Sequence, residues 1–567
     1  MKNHLIAEMF NRMADVLELK GEIAFKVNAY RRASRVIQHL DEDIEMVWKE
    51  ERLHQIPGIG AGLAKKIDEY MRTNRMTKYD EIVQSVPPGL VDLLHIQNLG
   101  PKTVAMAHQQ LHIQNLEDLK RVIQDGTFAK LPGIGQKKVE AILKGISLKE
   151  KGAGRIPLGI VLPYVERLIY ELRKVACVGR VYPAGSVRRM CETVGDIDIL
   201  VETEEGEAVI ETFISLPGVI QIVGRGKTKS SVLIEGDIQV DLRTILRDSY
   251  GAALQYFTGS KTHNVQLRKI ARKQGYKISE YGIYKGHEKV GGEKEEEIYE
   301  VLGMQWIPPE LREDQGEIAA AIDGQLPELV ELYDINGDFH VQTNLSDGSA
   351  SVDKMAEKAV NLGYSFVAIC DHSQSAGYAG GLTPERLLRQ FEEVSRLNEK
   401  MDDMHIFSGA EVDILADGSL DFSDDMLARL DIVIAAIHSG FKKRVTERLI
   451  AAARNPHVMI LAHPTGRILS QREGYEVDLE QVIKACVDTG TALEINACSE
   501  RLDLNDHHVR MAKEQGAQFA IGTDAHHPDQ MNRLPLGLGL ARRGWLGKKD
   551  VLNCLSVTEL VNGRSHH

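Results

Sequence analysis

Three turns of one design punctuate the first 145 residues: "IPGIG" at 56–60, "QNLGPK" at 97–102 and "LPGIG" at 131–135. Aligned on Gly60, Gly100 and Gly135 they lie 40 and 35 residues apart. Each follows an apolar helical pattern and precedes a helix start, "AGLAKKIDEYM", "PKTVAMAHQQL" or "QKKVEAILKGI". A chain written this way is committed to helices joined in pairs by tight hairpins. Gly58, Gly60, Gly100, Gly133 and Gly135 let the backbone turn sharply and approach a phosphate, and the unpaired N–H groups opening the next helix can receive it. One copy would read as an ordinary interhelical turn. Three copies followed by Lys65, Lys66, Lys102, Lys137 and Lys138 read as a surface that grips the backbone of a nucleic acid and not its bases.

A net charge of −13 argues against that reading only if it is spread evenly, and it is not. Residues 1–155 hold 24 Lys+Arg against 20 Asp+Glu, residues 156–315 hold 21 against 24, and residues 316–567 hold 24 against 38. The acidity is C-terminal, so the parts have different tasks. With 567 residues the chain exceeds one core and suggests about three to five domains of ~100–200 residues. Six cysteines without C-x-x-C spacing suggest neither a disulfide framework nor a cysteine zinc site, and fit a reducing cytoplasm. No run of about 18 apolar residues exists. "MKNHLIAEMFNRMADVLELKG" reads as an amphipathic helix, not a signal peptide.

From about residue 157 the rhythm becomes α/β: a helix in "VLPYVERLIYELRKV", strands in "RVYPAG", "DIDILVE", "SVLIEG" and "IQVDLRTI", and helix again from about 250. "WIPPELRED" closes that region, and "GEIAAAIDGQLPELVEL" reads as a helical connector. Beyond it, short β-like runs ("SFVAICD", "HIFSGAEVDI", "DIVIAAIHS", "HVMILAHP", "TALEINA", "QFAIGTDAH") alternate with helices. That is the pattern of βα units arranged as a barrel, with polar residues at the C-terminal strand ends.

In "AGSVRRMCETVGDIDILV" (184–201), Asp196 and Asp198 stand two apart in a strand and so leave one face, and a third carboxylate, Asp241, lies in another strand. Three carboxylates at one point repel unless cations neutralise them, and paired Mg²⁺ ions are the usual reason to build such a site. Gly185 and Ser186 offer donors to a triphosphate, and Arg188 or Arg189 adds charge. An Asp-x-Asp alone is more often a solvated strand face; the order Gly-Ser, Arg-Arg, Asp-x-Asp, distant Asp reverses that balance.

At these residues the chain resembles the family X DNA polymerases, typified by DNA polymerase beta and, with this domain set, by bacterial members with a C-terminal PHP domain. The likeness covers essentially the whole chain. It implies that Asp196, Asp198 and Asp241 hold two Mg²⁺ or Mn²⁺ ions, with Asp241 the base for the primer 3′-hydroxyl, and that Gly185, Ser186 and Arg189 hold the phosphates of the incoming dNTP. "YFTGSKTHNVQLR" (256–268) matches the thumb motif: Tyr256 and Phe257 by the sugar, Gly259 bending the chain, Asn264 at the base in the minor groove, Arg268 at the template. "FKVNAYRRASRVI" and "IPGIGAGLAKKIDEY" resemble the family's 8-kDa domain and put Lys66 on the Schiff-base lysine of the deoxyribose-phosphate lyases, with Tyr30 and Lys26 nearby. A lysine acts so only when neutral. A phosphate-contacting basic place is taken by Gly62 and a histidine place by Phe25, so the alternative, Lys66 as a DNA phosphate contact, stands beside the lyase reading.

Among residues 337–527, the strand ends carry His340, Gln342, Asp347, His372, Glu411, His438, His463, Asp524 and His526, in the order and spacing of PHP domains. Imidazoles with bridging carboxylates suit Mn²⁺ or Zn²⁺. The resemblance implies up to three ions: His340, position 342, Glu411 and Asp524 for one, Glu411, His438 and His463 for another, Asp347, His372 and His526 for the third. Gln342 stands where the pattern has histidine. An amide oxygen is a harder, weaker donor, which favours Mn²⁺ over Zn²⁺ there.

The expected architecture is multidomain α/β: helix-hairpin-helix domains at 1–80 (8-kDa-like) and 81–155 (fingers-like), a nucleotidyltransferase palm at 156–247, a thumb at 248–315, a linker at 316–334 and a barrel-like PHP domain at 335–567. The expected function is gap-filling repair synthesis on gapped or nicked DNA with a 3′–5′ exonuclease and AP-endonuclease or 3′-phosphatase end processing, by a cytoplasmic monomer with no membrane attachment. A DNA-tethered phosphoesterase and a non-catalytic DNA-binding scaffold are the alternatives.

Overall fold

The computed structural model describes residues 2–38, 40, 44–56, 58–73, 75–94, 96, 99–152, 155–401 and 404–563. Pro57, Gln97 and Asn98 of the repeated turns lie outside the described residues. The chain forms two compact units, Met1–Ala153 with Ser470–Arg472, and Gly154–Leu469 with Glu473–His567.

The first unit is helical. Helices Lys2–Leu19 and Ala24–Gln38 pack together, with Phe10 against Tyr30 edge to face at 5.8 Å and the Ser34 hydroxyl donating to the Ala7 carbonyl at 2.7 Å. The three repeated turns share one backbone hydrogen bond. Ile59 N–H bonds the Ile56 carbonyl, Leu99 that of Ile96 and Ile134 that of Leu131, at 3.0–3.1 Å, and all six side chains are buried. Gly60, Gly100 and Gly135 then open helices Ala61–Thr73, Pro101–Leu111 and Gln136–Gly152 by accepting the first intrahelical bonds. The apolar pair spaced by three anchors each turn, which leaves the glycines outward. Lys138 Nζ reaches Thr103 Oγ1 at 3.1 Å and ties the third motif to the second.

The second unit carries four sheets. β1 (Ile156–Pro157) pairs with β3 (Thr193–Val194). A five-stranded sheet has the order β2 (Val181–Pro183), β4 (Ile197–Glu202), β7 (Ile238–Ile245), β6 (Lys229–Ile234), β5 (Val219–Arg225); only β4 and β7 run parallel. Helices Leu158–Arg173 and Gly206–Ile214 pack against it over Val161, Leu168, Phe213, Val201 and Val240. Next come helices Tyr250–Thr258 and Lys261–Lys273 and a meander of β8 (Tyr276–Ser279), β9 (Gly282–Lys285) and β10 (Glu288–Gly291). The sequence reading anticipated neither β5 nor this meander. β5 is an edge strand whose Ile220, Ile222 and Val223 are exposed, so it lacks the two-residue alternation of a half-buried strand, and the meander strands are only four residues long.

The connector is helical only over Glu317–Ile322. Gly324 takes φ +68° and Pro327 follows, which stops the helix. Ile318, Ala321 and Leu329 pack into the same core as Leu267, Tyr299 and Trp545. The last sheet is parallel, its strands adjacent in chain order: β11 (Gly337–Val341), β12 (Phe366–Ile369), β13 (His405–Asp413), β14 (Ile432–Ala436), β15 (Ile460–Leu461), β16 (Ala492–Asn496), β17 (Phe519–Gly522). Val341 bridges Ala525, and the Gln342 N–H bonds the Ala525 carbonyl at 2.8 Å, so the ends of the sheet nearly meet. In such a barrel-like sheet every C-terminal strand end faces one side, where the polar residues gather. Among the described residues no helix is long and apolar enough to cross a membrane.

Candidate active sites

The parallel pairing of β4 with β7 sets Asp198 beside Asp241. Asp196 stands one residue before β4 and is exposed, so the Asp-x-Asp straddles the strand start instead of lying within it. The Ala184 N–H bonds the Asp198 carbonyl at 2.8 Å, and Gly185 follows at φ +58°. A Cβ on Gly185 would come within 2.5 Å of Asp198 Oδ2, so conformation and packing both require glycine there. Burial, then the neighbouring charges of Asp196 and Asp241, push the Asp198 carboxyl up to about 6. Burial would raise Asp241 too, but hydrogen bonds from Ser231, Lys229 and Gln239 hold it below the usual carboxylate range. Lys229 Nζ is 3.0 Å from Asp241 Oδ2 and Gln239 Nε2 is 3.0 Å from Oδ1. Three carboxylates whose crowding raises one of them are a donor set that fits hard divalent cations.

The two arginines after Ser186 differ. Arg188 forks onto buried Glu295 at 2.7 and 2.8 Å, a structural pair shared with Arg312, whereas Arg189 bonds Glu313 at 2.9 Å and the Thr258 carbonyl. Gly259 turns the chain at φ +70°, and a Cβ there would meet Arg189 Nη1 at 3.2 Å. Ser260 Oγ caps helix Lys261–Lys273. Tyr256 and Phe257 meet edge to face at 5.1 Å, and the Arg243 guanidinium lies 4.4 Å from the Phe257 ring centre. Asn264 is buried, its amide donating to the Tyr256 carbonyl and accepting from Gln255, both at 2.7 Å; Arg268 donates to the Asn264 carbonyl at 3.1 Å.

In the helical unit, a Cβ at Gly60, Gly100 or Gly135 would meet nothing within 4 Å, and none of the three has a left-handed φ. Neither packing nor conformation asks for glycine, and the open face admits a phosphate to the backbone. Lys66 Nζ donates to the Gly62 carbonyl at 2.9 Å and lies 5.8 Å from the Tyr30 ring centre. Partial burial, then the charge of Lys78, and further off that of Lys26, lower its pKa against the pull of Glu69. Lys78 was not foreseen as a neighbour from the sequence.

The barrel mouth centres on Glu411, buried at the end of β13. Its Oε2 is 3.0 Å from His372 Nδ1 and 3.4 Å from His340 Nε2, and its Oε1 is 3.2 Å from His438 Nε2 and 3.0 Å from His463 Nε2. His340 Nε2 is 3.8 Å from Asp524 Oδ1; His372 and His526 approach Asp347 at 3.7 and 3.3 Å. Two sets bring their ligand atoms within 4.8 Å of one another: Asp347, His372, His526, and His372, Glu411, His438. Burial opposes the charge on Glu411, yet His438, His372 and His340 hold it well below the usual range. In turn, against burial, Glu411 and Asp413 push His438 up to about 10, and Asp347 with Asp524 push His526 up to about 9. Among the described residues the buried His372 Nδ1 has no aligned hydrogen-bond partner, although Glu411 Oε2 is 3.0 Å away. Neutral imidazoles around carboxylates fit a divalent ion, which would take over the neutralisation that imidazolium provides here. Gln342 turns its amide nitrogen to Glu411 Oε2 at 2.9 Å and its oxygen to the Ser346 hydroxyl at 3.3 Å.

Sequence reasoning missed the supports. Glu494 in β16 accepts from His340 Nδ1 and the His463 N–H, both at 2.6 Å; Asp413 holds His438 Nδ1 at 2.7 Å. Asp371 accepts from Thr343 N–H, Thr343 Oγ1 and Gln390 at 2.7 Å each and fixes the loop after β11. Their signal was present: each is an acid next to apolar residues of a short strand-like run ("TALEINA", "GAEVDI", "AICDHS"), where an unpaired acid would be costly.

Comparison with known proteins matches residues 253–313 to the DNA polymerase beta thumb, 1–76 to a helix-hairpin-helix domain, 90–147 to a SAM-like helix-hairpin-helix tandem and 338–498 to the PHP domain. The DNA polymerase/3′-5′ exonuclease PolX of Bacillus subtilis (strain 168) is 37% identical over 562 residues, 98% of each chain. A protein of Thermoanaerobacter sp. (strain X514) named "Probable phosphatase" is 30% identical over 231 residues, 38% of this chain and 89% of its own.

Proposed function

The chain belongs to the family X DNA polymerases that carry a C-terminal PHP domain, and on that footing we propose that it fills short gaps in damaged DNA and trims DNA 3′ ends with a separate 3′–5′ exonuclease site. The observation that carries the synthetic reading is the register that sets Asp198 beside Asp241, with Gly185 pressed against Asp198. On this reading residues 1–80 and 81–155 hold DNA through the three glycine turns, 156–247 and 248–315 are palm and thumb, and 335–567 is the nuclease. Gapped or nicked DNA and dNTPs are the substrates, and the monomer is the acting unit.

Asp196, Asp198 and Asp241 would hold Mg²⁺ or Mn²⁺, and His340, Asp347, His372, Glu411, His438, His463, Asp524 and His526 would hold up to three Mn²⁺ or Zn²⁺. Such ions would supply positive charge to phosphate oxygens and acidify water. The protein does the rest. Ser186 and Arg189 orient the triphosphate, and Gly185 leaves room beside Asp198. Asp241, kept ionised by Ser231, Lys229 and Gln239, takes the proton of the primer 3′-hydroxyl. At the other site Glu494 and Asp413 fix the His340 and His438 rings with Nε2 inward. For Lys66, beside the Tyr30 ring and near Lys78, the lyase reading and the phosphate contact stand side by side, and the borohydride trap separates them. The rival reading, a DNA-tethered phosphoesterase, draws on the phosphatase relatives; an alignment of 231 residues cannot reach from Asp196 to Asp524.

The test is a gapped substrate with Mn²⁺, with and without dNTPs. Asp241→Ala should lose synthesis and His438→Ala degradation, each by about a thousandfold, three steps of ~1.4 kcal/mol, with the other activity kept. A 5′-deoxyribose-phosphate arm with borohydride should trap wild type and not Lys66→Ala. Equal loss of both activities in both variants would refute two separate sites.

A further inference from the structure

Residues 189–192, directly after the expected phosphate-binding Gly185 and Ser186, rest on the C-terminal domain. Arg543 ends helix Leu534–Arg543 there. Its Nη1 donates to the Arg189 carbonyl at 2.8 Å and to Glu313 Oε1 at 3.0 Å and approaches Cys191 Sγ at 3.5 Å, while its Nε donates to Asp506 at 2.9 Å. On the same helix, a Cβ at Gly539 would meet the Met190 side chain at 2.7–3.1 Å, so the helix backbone lies directly against that residue, whose φ is +52°. Arg467 bonds Glu192 at 2.6 Å. Four consecutive palm residues therefore each touch the barrel domain.

Arg189 itself has every donor nitrogen engaged, Nε with Glu313 at 2.9 Å, Nη1 with the Thr258 carbonyl and Nη2 with Cys191 Sγ at 3.7 Å. A triphosphate must compete with Glu313 for it. Glu313 Oε1 is shared between Arg189 and Arg543, all three side chains being less than a quarter exposed. A carboxylate with two cationic partners holds each less firmly than one with a single partner, and a guanidinium fork that also grips the backbone fixes where the turn stands.

We propose that Arg543 is a positioning residue for nucleotide binding: from the C-terminal domain it sets how tightly Glu313 holds Arg189. This rests on the reading of Arg189 as a phosphate-binding residue. Removing Arg543 leaves Arg189 as the sole guanidinium partner of Glu313 and parks it; removing Glu313 as well frees it again. A residue that merely stabilised the fold would give no such suppression.

The experiment measures KM for dNTP and kcat in single-nucleotide gap filling by the full-length chain, with degradation of single-stranded DNA as a check that the fold survives. Arg189→Gln and Arg543→Gln should each raise KM about tenfold with kcat within about twofold, the mark of a lost contact made equally in the ground and transition states. Arg543→Lys should fall between, since it keeps the charge and loses the fork. Glu313→Gln should lower KM or leave it, and Arg543→Gln with Glu313→Gln should return within about twofold of Glu313→Gln alone, a coupling that a double-mutant cycle reads directly. Degradation should be unchanged in Arg543→Gln. An unchanged KM in Arg189→Gln overturns the phosphate role of Arg189 and the proposal with it. A raised KM in Arg189→Gln with none in Arg543→Gln, or a double variant no better than Arg543→Gln, overturns the proposal alone.

Discussion

At the five-stranded sheet three carboxylates come from two neighbouring strands and the residue before one of them, and the group stays partly open: Asp196 is exposed, Asp198 half-buried, and Lys229 reaches Asp241 from outside. In the seven-stranded sheet seven strand ends contribute, from His340 to Asp524, and His340, His372, Glu411, His463 and Asp524 are all buried. On the proposed reading the palm site would be completed by its substrate, because a triphosphate would bring its own oxygens to the ions. The barrel site gathers more candidate ligands from the chain itself and fixes the His340 and His438 rings through second carboxylates, Glu494 and Asp413. The difference predicts that the palm is sensitive to what positions the substrate and the barrel to what positions the ligands.

The largest effect that follows is at Glu411, the one group that four imidazoles approach. Glu411→Gln should cost the nuclease about a thousandfold or more, by the same ~1.4 kcal/mol per tenfold, and leave gap filling intact. Residual nuclease above a tenth of wild type would mean that Glu411 is peripheral. A middle effect belongs to Glu494. Glu494→Gln should weaken metal binding about 10–100-fold, measured by titrating Mn²⁺ into the nuclease assay, while polymerase metal dependence stays put. A shift in both would break the separation. The smallest is at Gln342: Gln342→His should bind metal a few-fold tighter with equal or faster nuclease action, since imidazole is the better donor. Unchanged metal dependence would assign Gln342 to the role its amide shows, a donor that holds Glu411.

Much of this was legible in the chain. The spacing of Ile56 and Ile59, Ile96 and Leu99, and Leu131 and Ile134 writes the three turns, because local helix–turn–helix structure depends on neighbours a few residues away. The barrel strands were legible as short apolar runs ending in polar residues, although "HVMILAHP" pairs only over Ile460–Leu461. The exposed edge strand β5 and the meander were not, for want of alternation. The helical reading of the connector holds only over Glu317–Ile322, and its apolar residues pack into a core with Trp545 that no local pattern announces.

By itself the sequence determined which residue types could carry chemistry and in what order, since helix periods, glycine turns and strand-end acids are local properties of the chain. Only the tertiary structure decided which of them meet. The register that joins Asp198 to Asp241, the reach of Glu494 to His340, and the grip of Arg543 on Arg189 across 354 positions all depend on packing between distant segments. That packing is selected by burial and by pairing every buried polar group, and no local pattern in the chain records it.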